Sequence, residues 1–97
     1  MKLDNQHFEE LAHFIRTHRS NEGHFNILYD RLMKEYNAVK ASADQQQRCY
    51  AENMNEIIQK HAAVYIQNRE KGISTYAEFE HVVNSFEKIV TDALHQS

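Results

Sequence analysis

The sequence predicts an all-α fold, an antiparallel four-helix bundle, on three observations. Proline is absent, glycine occurs only at Gly23 and Gly72, and apolar residues recur at three- and four-residue steps along most of the chain. Few breakers combined with that period specify amphipathic helices rather than strands. The 97 residues make one domain (1–97), since no repeat, low-complexity tract or linker divides them.

The first helix is expected from Asp4, whose carboxylate suits an N-cap, with Leu3 and Phe8 spaced as a hydrophobic staple. Phe8, Leu11, Ala12 and Ile15 form its inner stripe, and Ser20-Asn-Glu-Gly23 supplies turn chemistry to end it. A second helix follows from about His24, with Phe25, Leu28, Tyr29, Leu32, Tyr36 and Val39 facing inward. A third carries Tyr50, Met54, Ile57, Ile58, His61, Val64 and Tyr65, and stops at Arg69-Glu-Lys-Gly72 with glycine as the C′ residue. The last begins at Thr75, which forms a capping-box pattern with Glu78. Its stripe is Phe79, Val82, Val83, Phe86, Ile89, Val90 and Ala93.

The stretch from Lys40 to Arg48 supports two readings. It is polar and interrupts the apolar pattern, and Ser42 with Gln45 has capping-box spacing, which predicts a turn. It also lacks Gly, Pro and Asn, and a seven-residue step (Tyr29, Tyr36, Ala43, Tyr50, Ile57, Val64) runs unbroken across it. The alternative is therefore three helices with one long central helix over about 24–70, roughly 70 Å in length. Two short flanking helices cannot cover such a rod, so this alternative implies a homodimer.

Composition excludes several function classes. A net charge of −3 opposes nonspecific nucleic-acid binding, which needs clustered Lys and Arg against phosphates. No apolar run approaches membrane-spanning length. The single cysteine, Cys49, excludes an internal disulfide and is expected as a half-buried small hydrophobe. With no signal-peptide pattern at the N-terminus, the expected location is cytoplasmic.

Two E-x-x-H pairs, Glu10/His13 and Glu78/His81, have the spacing of carboxylate-bridged di-metal bundles. Ten Glu and seven His in 97 positions supply about 0.7 such pairs by chance. Helical phase places Glu10 and His13 roughly 140–200° from their helix's inner stripe, and His81 about 200° from its own, whereas metal ligands must point inward. The expectation is therefore no metal and no cofactor. His61 falls on a stripe and is expected to bond a tyrosine or a backbone carbonyl.

Arg19-Ser-Asn-Glu-Gly-His24 has an R-x4-H spacing. Over these six residues it resembles the R-x4-6-H motif of HEPN-family ribonucleases, which are also helical bundles, and the resemblance implies Arg19 and His24 as a catalytic pair. About one such match is expected by chance from five Arg and seven His, and here the motif spans a helix-ending turn.

What remains is surface. Phe14, Ile27 and Ile66 beside Ala62 lie off their stripes, and bulky apolar residues on three helices are candidates for a partner-binding patch. The last helix carries Glu78, Glu80, Glu87 and Asp92 against Lys88 alone, an acidic face able to steer a basic partner. By elimination the expected function is non-catalytic protein–protein interaction, as a small inhibitor, immunity-type or adaptor protein, with Phe14, Ile27, Ala62, Ile66, Glu80 and Glu87 at the contact.

Overall fold

In the computed structural model, which describes residues 3–96, four helices pack against one another and no strand forms among the described residues. They are α1 (Asn5–His18), α2 (Phe25–Val39), α3 (45–70) and α4 (Tyr76–Gln96). Helix α3 is composite: Gln45–Glu56 is α-helical, Ile57–Ala62 is π-helical, and Ala63–Glu70 is α-helical again. α1 packs chiefly on α4, α2 on α3, and the π segment of α3 on α4.

Helix α1 starts as its sequence requires. Asp4 is extended, and its Oδ1 accepts the His7 N–H at 2.9 Å. Phe8, Leu11, Ala12 and Ile15 are all buried, and Leu3 packs against the core they belong to. After His18 the Asn21 side chain accepts the Gly23 N–H at 2.8 Å, and a 3-10 turn over Glu22–His24 leads into α2. At the far end of α3, Gly72 has φ +71°, and Ile73 N–H reaches the Asn68 carbonyl at 2.9 Å while Gly72 N–H reaches that of Arg69. This is a Schellman closure, with glycine at the left-handed position. No atom crowds a Cβ there, so Gly72→Ala tests backbone strain alone. It is expected to lower stability by about 1 kcal/mol in urea denaturation.

The long central helix is not formed. α2 ends at Val39 and α3 begins at Gln45, and the molecule's longest dimension is 41 Å. The five intervening residues lack Gly and Pro, but their polar side chains replace helical bonds. Ser42 Oγ accepts the Asp44 N–H, Asp44 Oδ1 caps the Gln46 and Gln47 N–H groups, and Arg48 reaches back to the Ser42 and Ala43 carbonyls. The N-cap is thus Asp44 rather than Ser42. Such local side-chain-to-backbone bonds outweigh the modest helix preference of Ala, Gln and Lys. With the rod goes the argument that required a homodimer.

The π segment corrects the expected phase of α3. Ala63 N–H bonds the Ile58 carbonyl five residues back, so this turn holds one residue more than an α turn. Everything beyond it lags by about one residue, roughly 100°. Ala62 therefore takes the inward place expected for His61, Tyr65 stays inward as expected, and Val64 turns outward. Ala62 is fully buried and Tyr65 buried, while Val64 is exposed and His61 half-buried. Cys49, expected half-buried, is exposed because the inner face of α3 is set by Tyr50, Ala51 and Met54.

Candidate functional site

A carboxylate sits at the centre of the bundle. Glu35 of α2 has no solvent exposure, yet no buried side-chain polar atom among the described residues lacks a partner. Its Oε2 accepts from His7 Nε2 of α1 at 2.7 Å and from the Tyr50 hydroxyl of α3 at 2.7 Å. Its Oε1 accepts from Arg31, one turn earlier on α2, at 3.0 Å. Because a carboxylate only accepts, the His7 Nε2 must carry the proton in this contact. One side chain thus joins three helices. The spacing held the signal: Leu28, Leu32, Glu35 and Val39 step by four, three and four, so Glu35, rather than the half-buried Tyr36, lies on the inner stripe.

Burial, then the charge and hydrogen bond of Glu35, raise the Tyr50 pKa above the ordinary value of 10, with Arg31 opposing. Burial and then Glu22 likewise raise that of Tyr65, against Arg69 and Thr75. Raised folded-state values mean that the protonated phenols favour the fold. Their contribution is complete below pH about 10, where an unfolded tyrosine titrates, and is lost as pH rises beyond it. Urea midpoints measured from neutral into alkaline pH are therefore expected to fall above pH about 10. The fall should be shallower in Tyr50→Phe.

A second carboxylate fastens the opposite connections. Glu22, in the turn before α2, accepts from the Tyr65 hydroxyl at 3.2 Å and from the Thr75 hydroxyl. Phe25 stacks on Tyr65 with centroids 3.7 Å apart, and the Arg69 guanidinium lies over both rings. Thr75 still marks the start of α4, its carbonyl accepting the Phe79 N–H at 2.9 Å. Its predicted box partner Glu78 turns instead toward His61, 3.6 Å from Nδ1.

The residues of the R-x4-H spacing face different partners. Arg19 is clamped onto α4 by Glu87 and Asn84, with Arg16 at 3.5 Å from the same Glu87. His24 Nδ1 lies 3.0 Å from His18 Nδ1, and its Nε2 lies 3.3 Å from the Asn21 amide. The E-x-x-H pairs also remain apart: Glu10 accepts from Gln6 at 3.1 Å on the exposed side of α1, beside exposed His13. His81 is exposed and stacks on His61, with centroids 5.2 Å apart. His61 thus meets a carboxylate and another histidine, rather than a tyrosine or carbonyl, because the π lag carries it to the helix flank. Among the described residues, no three His, Cys, Asp or Glu side chains are arranged to hold a metal ion.

The residues of the expected surface patch differ in exposure. Ala62 is fully buried by the π lag and is unavailable to a partner. Phe14 and Ile66 are half-buried against the core, and only Ile27 stands well exposed, at 44 %. On the acidic face Glu80 is half-buried, Glu87 is paired with Arg16 and Arg19, and Asp92 is paired with Lys88 at 3.1 Å.

A concavity lies elsewhere. α3 lies close to α4 along the π segment and stands away from it toward Gln45, leaving an open groove of about 550 Å³ flanked by the start of α1. A second depression of about 360 Å³ continues it toward His61, and Asn53, Ile89 and Asp92 line both. Leu3, Phe8, Tyr50, Ile57, Ile89 and Ala93 supply its apolar surface. Among the described residues its charged lining is Asp44, Glu56 and Asp92 against Lys88. Sequence periodicity missed this surface because it depends on how far two helices diverge.

Comparison with known proteins adds no assignment: no family model matches the chain, and neither the curated proteins nor the solved structures contain a match. No helix among the described residues is long and apolar enough to cross a membrane.

Proposed function

We propose that this chain is a cytoplasmic, non-catalytic binding module, an inhibitor, immunity-type or adaptor protein that acts by contact with a partner protein. The observation that carries this reading is the division of labour among its side chains. Glu35, Glu22, Arg19 and Glu87 join helices and turns to one another, whereas the groove between α3 and α4 lies open. A concavity lined by both apolar and polar side chains on a small bundle suits recognition of another protein surface.

The test has two arms. The tagged chain, purified from its native cells, should retain one partner in stoichiometric amount through stringent washing. Incubated with RNA, the wild type and an Arg19→Ala/His24→Ala variant should give identical profiles. RNA cleavage by the wild type that the double variant loses would replace the binding reading with a nuclease.

A further inference from the structure

We infer that the α3/α4 groove receives an amphipathic helix with basic flanks from the partner protein. This inference rests on the binding-module reading and names the partner's chemistry. Three features of the groove carry it.

The first is its form. The two depressions share Asn53, Ile89 and Asp92 and together follow α3 from Gln45 to His61, about 24 Å at 1.5 Å per residue. Along α3 the lining residues Tyr50, Asn53, Ile57 and His61 recur once per turn, as do Ser85, Ile89 and Asp92 along α4. Ridges at that interval accept the side chains of a third helix.

The second is the backbone on either side. Both walls are helices whose N–H and C=O groups are bonded internally along most of the groove, so they offer no edge for an added strand. An extended peptide would depend on side chains such as Gln46, Asn53 and Gln96 to pair its backbone groups, whereas a helix brings its backbone already satisfied.

The third is charge. Among the described residues, three carboxylates, Asp44, Glu56 and Asp92, face one cation, Lys88, and no arginine lines the groove. The Glu56–Lys60 and Lys88–Asp92 contacts are exposed pairs one turn apart, held weakly enough for a partner's cations to replace them. Lysine or arginine beside an apolar i, i+3, i+4, i+7 stripe complements this lining.

The experiment is a selection of displayed helical peptides of about 16 residues, the length that spans the groove, against the full chain. Their sequences should vary in charge on both sides of a fixed apolar stripe. The expected winners are basic, and bind at least tenfold more weakly to Glu56→Lys/Asp92→Lys, which alters only exposed side chains. They should also weaken on Ile89→Asp, in a variant whose circular dichroism matches the wild type, and remain unaffected by Ile27→Asp outside the groove. Acidic or uncharged winners, no winners, or winners indifferent to the charge reversal would overturn the inference. So would a homodimer that Ile89→Asp dissociates, since a second copy would then be the occupant. A native partner that survives both groove variants would end this inference and leave the binding-module reading standing.

Discussion

Glu35→Ala is expected to destabilise the bundle by about 3 kcal/mol, lowering Tm by about 10–20 °C. The variant removes the acceptor shared by His7, Tyr50 and Arg31. His7 and Arg31 keep 17 % and 25 % side-chain exposure and can turn to water. The Tyr50 hydroxyl bonds within the core and has no such recourse, so most of the loss comes from that orphaned donor and the cavity beside it. Glu35→Leu/Tyr50→Phe should therefore be more stable than Glu35→Leu alone, because removing both partners abolishes the unsatisfied group. A Glu35→Ala midpoint within about 0.5 kcal/mol of wild type, or a double variant no better than the single, would contradict the hub. Thermal and urea unfolding measure both.

The second large effect is a contrast between two one-residue deletions in α3. Deleting exposed Lys60 lets the π segment close as an ordinary α turn, removing the extra residue while the flanking stripes keep their places. Deleting exposed Glu52 from the regular α turn upstream instead rotates the rest of the helix by about 100° against the core. Deletion of Lys60 should leave a cooperatively unfolding bundle within about 1 kcal/mol of wild type, and deletion of Glu52 should cost at least about 4 kcal/mol. The large figure reflects the buried Met54, Ile57, Ala62 and Tyr65, which would be carried off the inner face together. Equal effects in urea denaturation would mean that the segment does not hold one extra residue.

These two sites also show where the sequence was legible. Asp4, Gly72 and the stripes of α1 and α4 could be read because each depends on local chemistry: a cap, a left-handed residue, a repeat on one face. The turn at 40–44 was legible as one of two outcomes. Weak helix preference and a competing set of Ser, Asp and Arg bonds are close in energy, and only the folded chain shows which prevails. Glu35 was legible in its spacing, though a charged residue on an apolar stripe is costly unless partners from other helices satisfy it.

The π segment left no local mark. Ile-Ile-Gln-Lys-His-Ala reads as ordinary helix, and its phase is decided by which residues fit between α2 and α4. That single lag explains three departures at once: Ala62 inward, Val64 outward and His61 moved to Glu78 and His81. The groove was still less accessible, since it arises from the angle between helices rather than from any residue pattern. Its acidic lining joins Asp44 and Glu56 on α3 with Asp92 on α4, residues far apart in the chain.

On the proposed reading the molecule works by seating a partner between α3 and α4. Site-specific photo-crosslinking in native cells tests it most directly, with a photoreactive residue placed singly at Asn53, shared by both depressions, or at Ile27, exposed on α2 outside the groove. The predicted result is one defined cross-linked protein at position 53, absent at position 27. No product at position 53, or the same product from position 27 alone, would contradict the claim.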